Sequence, residues 1–286
     1  MVTLSANRPA GIFRGIQTLR QLFPPAIECR TLQPGPWRIP TGLIRDLPRF
    51  AWRGAMLDVA RHFFPVEVVK QYIDRLAYYK INRFHLHLSD DQGWRIQIHS
   101  WPKLAEVGGA MTMEGAPAGF FTQADYCEIV DYAARRYITV IPEIDMPGHT
   151  NAALVAYPEL AKDGVTPSPY AGKEVGFSTL DANKEITYRF VEDVIREIAA
   201  ITPGEYIHIG GDETFSTSEA DYVCFVQRVQ EIVAAHGKRM IGWEEVAKTH
   251  LRPDSVAQHW NSSLAVRAAD QGAKVLQRIQ EELKED

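Results

Sequence analysis

The sequence predicts an α/β fold of the (β/α)8 TIM-barrel type, in which parallel strands alternate with helices. Strand-like apolar runs and amphipathic segments alternate from residue 54 onward, as in parallel strands joined by crossover helices. Polar side chains follow each predicted strand, and in such barrels the active site lies at the carboxyl ends of the strands. A doubly wound open sheet is the alternative, but it usually carries its site at one crevice.

The first predicted element is a helix over residues 10–23. Apolar side chains recur there on one helical face, and Pro24 and Pro25 end the helix. A proline-rich connector then extends to Pro48. The apolar face consists of Ile12, Ile16, Leu19 and Phe23.

Six predicted strands follow, with a candidate seventh at residues 273–276. The predicted barrel is therefore incomplete. In helix 184–200, apolar residues recur every four positions, which indicates one buried face. The strands are 54–59, 82–88, 137–141, 206–209, 239–243 and 255–260, and the other helices are 66–80, 124–136 and 219–236.

Two segments between these elements, 92–123 and 147–183, are too long for ordinary loops. They contain Gly, Pro, Trp and Tyr residues, which favour walls of a substrate cleft. Insertions without a function are the alternative.

The composition disfavours nucleic-acid and membrane binding. The 286 residues are 45% hydrophobic, enough for one large domain or two small ones. A net charge of −5 leaves no basic excess for phosphates, and no apolar run is long enough to span a membrane. Residues 1–9 lack the apolar core of a signal peptide. Cys29, Cys127 and Cys224 lie far apart without a metal-binding spacing, so we expect them to fill the core.

The segment from His208 to Glu213 places two adjacent carboxylates after an apolar strand. Strict alternation would send Asp212 and Glu213 to opposite faces. Gly210 and Gly211 allow the backbone to twist, so both carboxylates can face one cavity. The pattern predicts a proton-transfer site, with an exposed acidic loop as the alternative.

A metal-dependent hydrolase is a second functional hypothesis. His85 and His87 share one strand face, the spacing that metal-dependent hydrolases use. However, His85 and His208 precede the ends of their strands, which favours interior, hydrogen-bonded histidines. The candidate ligands are His85, His87, His149, His208 and Asp212.

The segment 142–149 adds further ionisable side chains. Glu143 and Asp145 share a face by alternation, and Gly148 permits a turn that brings His149 over the site. A histidine between carboxylates can tune the proton affinity of a nearby acid. A loop-stabilising cluster is the alternative.

Three more side chains are predicted at the same end of the barrel. Arg61 follows the first strand, whereas Arg53 precedes it and belongs to the opposite end. Trp243 and Trp260 end the fifth and sixth strands. Indoles form flat apolar walls suited to a sugar ring or an acetyl methyl group, although either could be ordinary core. Together these side chains are typical of a sugar hydrolase.

Four segments of the chain carry a more specific signal. They are RGAMLDVARHFF at 53–64, HLHLSDDQGWR at 85–95, PEIDMPGH at 142–149 and HIGGDE at 208–213. In this order they resemble glycoside hydrolase family 20, the β-N-acetylhexosaminidases, and especially the bacterial ones. The resemblance covers roughly residues 10–276, and the first helix looks like the last helix of that family's preceding α+β domain.

The resemblance implies a substrate-assisted, retaining mechanism without a cofactor or metal. The 2-acetamido oxygen of the substrate would attack the anomeric carbon, so no enzyme nucleophile is needed. Glu213 would be the general acid and then the general base, and Asp212 would orient the acetamido group. Asp90 and His149 would form a relay to Glu213. Substrate-binding roles would fall to Arg61, Trp243, Trp260 and, in support of the loop carrying His149, Asp145.

The resemblance also implies a domain division and an incomplete catalytic unit. Residues 1–50 would be a remnant of the preceding domain and a linker, 51–276 the catalytic barrel, and 277–286 a charged helical tail. The similarity to the family stops near residue 276, before the end of the family's usual barrel, so we expect a truncated or engineered enzyme whose open edge a second copy could close. The expected substrate is an N-acetylhexosamine-containing oligosaccharide or glycoconjugate, and the parent enzyme is expected to be secreted or periplasmic.

Three hypotheses follow from the sequence. The chain is an N-acetylhexosaminidase, active or impaired, or a non-catalytic scaffold with residual sugar binding, or a metal-dependent hydrolase. A chelator separates the last from the others, and a Glu213→Gln substitution separates the first two.

Overall fold

A sheet of seven parallel strands is the frame of this protein, whose computed structural model describes residues 2–277. Each strand pairs with the next one along the chain, which is the order of a barrel; a doubly wound sheet reverses its order at a switch point. The predicted incomplete barrel with a seventh strand is confirmed. The strands are β1 (Gly54–Asp58), β2 (Arg83–His87), β3 (Ser89–Asp90), β4 (Gly93–Trp94), β5 (Thr139–Glu143), β6 (Tyr206–His208), β7 (Arg239–Trp243), β8 (Val256–Gln258) and β9 (Lys274–Leu276), of which β3 and β4 form a separate antiparallel pair.

Amphipathic helices cover one face of the sheet. In the helix after residue 184, Phe190, Val194 and Ile198 recur every four positions and are buried, as their spacing predicts. The first helix lies on the second, and Gln21 Nε2 donates to the carbonyl of Tyr78 at 2.9 Å. The helices are α1 (Pro9–Leu22), α2 (Val66–Tyr78), α3 (Lys103–Glu106), α4 (Gln123–Ala134), α5 (Asn151–Ala156), α6 (Glu185–Ile201), α7 (Glu219–Ala235) and α8 (Leu264–Asp270).

Strand alternation separates the core into two parts. Side chains on the helix-covered face, such as Phe84 and Leu86, join the main apolar core. The other face lines the inside of the barrel. At its amino-terminal end this inner face is apolar, with Ile141 and Tyr206 in a small separate cluster. Two residues further along each of these strands, the same face carries ionisable side chains, and these lie at the carboxyl ends of the strands.

The segment 92–123 folds around one buried guanidinium. Arg95 donates hydrogen bonds to the carbonyls of Val59 and Ala60 at the end of β1, and to those of Gly109 and Gly119 in the segment itself. Burial lowers the pKa of Arg95 to about 10. The side chain therefore ties the segment to the end of β1.

Some sequence predictions were wrong in detail. The strand predicted at 137–141 is Thr139–Glu143, because Tyr137 adopts a left-handed φ of 58° where the chain leaves α4. Cys29 and Cys224 are exposed and do not fill the core. Arg53 lies at the amino-terminal end, as predicted, where its Nε donates to the carbonyl of Lys80.

The tail predicted to be helical, residues 277–286, lies outside the described residues apart from its first. Within residues 2–277, no helix combines the length and the apolar character that a membrane span requires.

Candidate active site

The adjacent carboxylates sit on an unusual backbone turn at the end of β6. Gly210 and Gly211 have φ values of 69° and 98°, and Glu213 has a φ of 46°. A Cβ atom on Gly210 would lie 1.8 Å from Asp145 Oδ1, so no larger residue fits there. The turn breaks strand alternation and brings both Asp212 and Glu213 to the same histidine, as the two glycines predicted.

His149 lies between these two carboxylates and a third. Its Nε2 is 3.4 Å from Glu213 Oε2 and 3.8 Å from Asp212 Oδ2, and its Nδ1 is 3.2 Å from Asp90 Oδ1. Burial opposes a charge on the imidazole, but Asp145, Asp90 and their neighbours raise the pKa of His149 strongly. Contact with this charged ring lowers the pKa of Glu213.

Asp145 lies behind Asp212. It is buried, and its Oδ1 accepts a hydrogen bond from the backbone N–H of Gly211 at 3.1 Å. Burial raises the pKa of Asp145 well above its usual range, and the charge of Asp212 adds to the shift. Burial also raises the pKa of Asp212. Both carboxyls therefore bind a proton more readily than an exposed carboxyl does.

Arg61 is held by two carboxylates. Its Nη2 lies 2.7 Å from Asp90 Oδ2 and its Nη1 lies 3.0 Å from Asp58 Oδ2. Asp58 Oδ1 also accepts the backbone N–H groups of Ala60 and Arg61. This second carboxylate was not among the predicted site residues, and it fixes the direction of the guanidinium.

Glu143 is a buried carboxylate for which the sequence predicts no role of its own. Its Oε2 lies 2.7 Å from His85 Nε2 and 2.6 Å from His87 Nδ1, and its Oε1 accepts the indole N–H of Trp243 at 3.0 Å. Burial alone would raise its pKa, but His87, His208 and His85 hold it well below the usual range. The sequence signal for this contact was the His-x-His spacing on the neighbouring strand, because that strand places both histidines beside Glu143.

His87 connects Glu143 to the relay. Its Nε2 lies 2.9 Å from Asp90 Oδ2. Burial disfavours a charge on His87, but Glu143 and Asp90 raise its pKa well above the usual range. His149 and His87 in turn hold the pKa of the buried Asp90 below its usual range. The directions of these pKa shifts therefore favour charges of alternating sign from Glu143 through His87, Asp90 and His149 to Glu213.

The two tryptophans stand together at the mouth of the barrel. Their ring centroids are 5.4 Å apart and their planes meet at 80°. Trp243 is buried, whereas Trp260 is 45% exposed. The pair presents an apolar corner beside the carboxylates, which is the shape that a small apolar substituent of a sugar would contact.

The described residues contain four groups whose ligand atoms lie within 4.8 Å of one another, as a metal site requires. The ring nitrogens of His85 and His87 in these groups lie at hydrogen-bond distance from Glu143. His208 Nδ1 accepts the backbone N–H of Gly210 at 3.0 Å. A metal would have to replace these hydrogen bonds. The groups are His85–Glu143–His208, His87–Asp90–Asp145, Asp90–Asp91–His149 and Asp145–His149–Asp212.

Comparisons with known families match nearly the whole chain. The family model "Glycosyl hydrolase family 20, catalytic domain" matches residues 50–282, and "Glycosyl hydrolase family 20, domain 2" matches residues 1–47. A beta-N-acetylhexosaminidase of Cellulomonas fimi is 43% identical over 279 residues, which are 96% of this chain and 55% of the relative.

Solved structures agree with these matches. The GH20 beta-N-acetylhexosaminidase of Streptomyces coelicolor A3(2) superposes with a TM-score of 0.91 at 53% identity, over 94% of this chain and 56% of that one. A mutant Streptomyces plicatus beta-hexosaminidase in complex with the product GlcNAc gives a TM-score of 0.93 at 54% identity, over 96% and 56%. The chain thus spans about half the length of the relatives that it matches.

Proposed function

The chain belongs to glycosyl hydrolase family 20, and on that basis we propose that it removes terminal, non-reducing β-linked N-acetylhexosamine from glycans. One observation carries the proposal: His149 contacts the exposed Glu213 and its neighbour Asp212, while the buried Asp145 lies beside Asp212. Two adjacent carboxylates with unlike surroundings suit a reaction in which one transfers a proton and the other stabilises charge.

The proposed reaction is substrate-assisted and retains configuration. Glu213 protonates the glycosidic oxygen while the acetamido oxygen of the substrate bonds to the anomeric carbon, and the leaving group departs as an alcohol. Asp212 orients the acetamido group and stabilises the positive charge on its nitrogen. Glu213 then takes a proton from water, and that water opens the oxazolinium ring.

The surroundings of Glu213 support its use as a proton carrier. In the free protein its side chain is 41% exposed and its pKa is lowered by His149. A bound sugar would remove water from this side chain, and loss of hydration favours the neutral acid. The charged His149 adjoins Glu213 and holds its carboxylate in place, with Asp90 on the other side of the ring.

Substrate contacts are proposed for Arg61, Trp243 and Trp260. The guanidinium presents a planar set of donors suited to ring hydroxyls. The two indoles form the apolar corner in which the acetamido methyl group would lie. The product GlcNAc bound to the Streptomyces plicatus relative supports an N-acetylhexosamine as substrate.

We also propose the predicted domain division and a homo-oligomer. The two family matches meet near residue 50, which supports a boundary between residues 1–50 and the barrel at 51–276.

The homo-oligomer is proposed from the edges of the sheet. Within the described residues, β1 and β9 each pair on one side only. Such edges attract further strands, so a second copy can bind there. Sedimentation analysis of the purified chain tests this, and a monomer at all concentrations contradicts it.

The activity is tested with a chromogenic β-N-acetylglucosaminide in the presence of EDTA. Three proteins are compared: the chain itself, Glu213→Gln, and a control, Glu219→Gln, which alters an exposed carboxylate in the first turn of α7. We expect hydrolysis by the chain and the control. For a poor leaving group, Glu213→Gln should lower kcat by at least about 100-fold, the usual contribution of a general acid.

Each outcome separates the hypotheses. Equal activity in all three proteins would show that Glu213 is not the acid. Activity abolished by EDTA and restored by a divalent metal would favour the metal-dependent hydrolase. Folded protein without activity in any variant would identify a scaffold.

A further inference from the structure

Two exposed aromatic rings belong to the two segments that meet at the backbone of Glu213. Phe215 is 75% exposed and Phe177 is 44% exposed. Phe215 follows Glu213 by two positions, and its backbone N–H donates to the carbonyl of Glu213 at 2.8 Å. Large apolar rings that remain exposed beside a site often mark a binding surface.

The ring of Phe215 is supported by the backbone of the segment 147–183. Gly176 has a φ of 77°, and a Cβ atom there would lie 2.2 Å from Phe215 Cδ2 and 2.7 Å from the carbonyl oxygen of Glu213. The ring therefore rests directly on Gly176. Only glycine leaves room for it, so the orientation of the ring is built into the fold.

Polar contacts join the turn after Glu213 to the same segment. Ser216 Oγ donates to the carbonyl of Gly176 at 2.6 Å, and the hydroxyls of Thr179 and Thr217 lie 2.7 Å apart. These contacts hold residues 212–217 against the segment. The two exposed phenylalanines thus belong to one structured rim.

Phe177 has its own support. Its ring centroid lies 4.5 Å from that of Tyr170, with the planes at 59°, a favourable aromatic arrangement. The Tyr170 hydroxyl accepts the backbone N–H of Glu174 at 2.6 Å. Phe177 is therefore held in place although nearly half of its surface is exposed.

We propose that Phe215 and Phe177 form a subsite for the sugar ring on the leaving-group side of the scissile bond. The inference rests on the proposed function, because a general acid must face the leaving oxygen. The inner side of Glu213 is occupied by His149, so the leaving group lies on the exposed side, beside Phe215. A pyranose has apolar C–H faces that stack on aromatic rings. The ligand is thus an oligosaccharide whose second ring is also a pyranose.

The kinetic test compares two substrates that share the same first sugar. N,N′-diacetylchitobiose carries a pyranose leaving group, and methyl β-N-acetylglucosaminide carries none. We expect Phe215→Ala to lower the ratio of their kcat/KM values, disaccharide over methyl glycoside, by about 10-fold, the worth of one aromatic contact. Phe177→Ala should lower the ratio less, and Phe215→Trp should restore it.

The matched control is Tyr79→Ala, which removes an exposed aromatic side chain at the end of α2, next to the amino-terminal end of the barrel. This variant should leave the ratio as it is. A ratio that falls equally in Phe215→Ala and Tyr79→Ala, or in neither, overturns the subsite.

Binding by NMR tests the subsite without turnover. In a Glu213→Gln background, saturation transfer from protein to N,N′-diacetylchitobiose should reach both rings. The additional Phe215→Ala change should weaken transfer to the reducing-end ring by severalfold while transfer to the acetamido methyl of the first ring persists. Equal transfer to the reducing-end ring in both proteins overturns the subsite. If the chain hydrolyses neither substrate, the proposed activity fails, and this measurement still decides the subsite.

Discussion

His149 is the residue on which the protonation of the carboxylate pair depends. It contacts Glu213 and Asp212 with one nitrogen and Asp90 with the other. Its positive charge favours the ionised form of Glu213, and Asp90 keeps the ring charged and oriented. The same imidazole thus lowers the proton affinity of Glu213 and fixes the position of its carboxylate.

Replacing His149 with Asn should raise the pKa of Glu213, because the principal cause of its lowering is removed. A general acid must be protonated, so the alkaline limb of the pH dependence of kcat/KM should move to higher pH. The overall rate should fall, since the relay is broken. The control is His236→Asn, at the end of α7, which should leave the profile in place. A shift of the limb to lower pH would contradict this role.

At the scale of elements, the turn after β6 depends on positive φ values and on space. Gly210 and Gly237 have nearly equal φ values, 69° and 71°. A Cβ on Gly237 meets nothing within 4 Å, whereas one on Gly210 meets Asp145 Oδ1 at 1.8 Å. An alanine at position 237 therefore has only the cost of the left-handed φ. An alanine at position 210 has that cost and also a clash with the buried carboxyl of Asp145.

Gly237→Ala should lower the free energy of unfolding by about 1–2 kcal/mol, the cost of a left-handed residue with a Cβ. Gly210→Ala should cost about 2 kcal/mol more, because Asp145 must move from its buried place. Urea unfolding of both variants and of the parent chain measures the difference. Equal losses would show that Asp145 moves aside freely.

At the scale of the whole molecule, the buried network couples stability to pH. Asp90 and Glu143 have lowered pKa values, so their stabilisation is present above the unfolded values near pH 4 and is lost as the pH falls. His87 and His149 have raised pKa values. The stabilisation that they contribute is therefore complete below about pH 6.5 and declines as the pH rises. Because the pKa of Asp145 is raised, this residue also makes the folded protein more stable at low pH than at high pH.

We therefore expect the free energy of unfolding to be largest between about pH 4.5 and 6.5. Urea unfolding at a series of pH values measures this curve. Asp90→Asn should flatten it on both sides, since this carboxylate contacts both charged histidines. A stability that rises steadily from pH 5 to 9 would rule out the proposed charges.

Much of the fold could be predicted because its signals are local. Period-two alternation placed His85 with His87 and Glu143 on inner faces, and helical periodicity gave the buried face of α6. The two glycines before Asp212 predicted the turn, because positive φ is cheap only for glycine. The boundary at Tyr137 was missed, because a non-glycine residue in the left-handed region leaves no reliable mark in the sequence.

The sequence by itself determined which residues reach the carboxyl ends of the strands, since alternation and turns depend on a few neighbouring positions. Only the tertiary structure decided how these residues are paired. The register sets His87 opposite Glu143 and Glu143 opposite His208, and Trp243 reaches Glu143 from 100 positions away. Protonation follows from these pairings, because burial and neighbouring charges shift each pKa and both arise from contacts between distant parts of the chain.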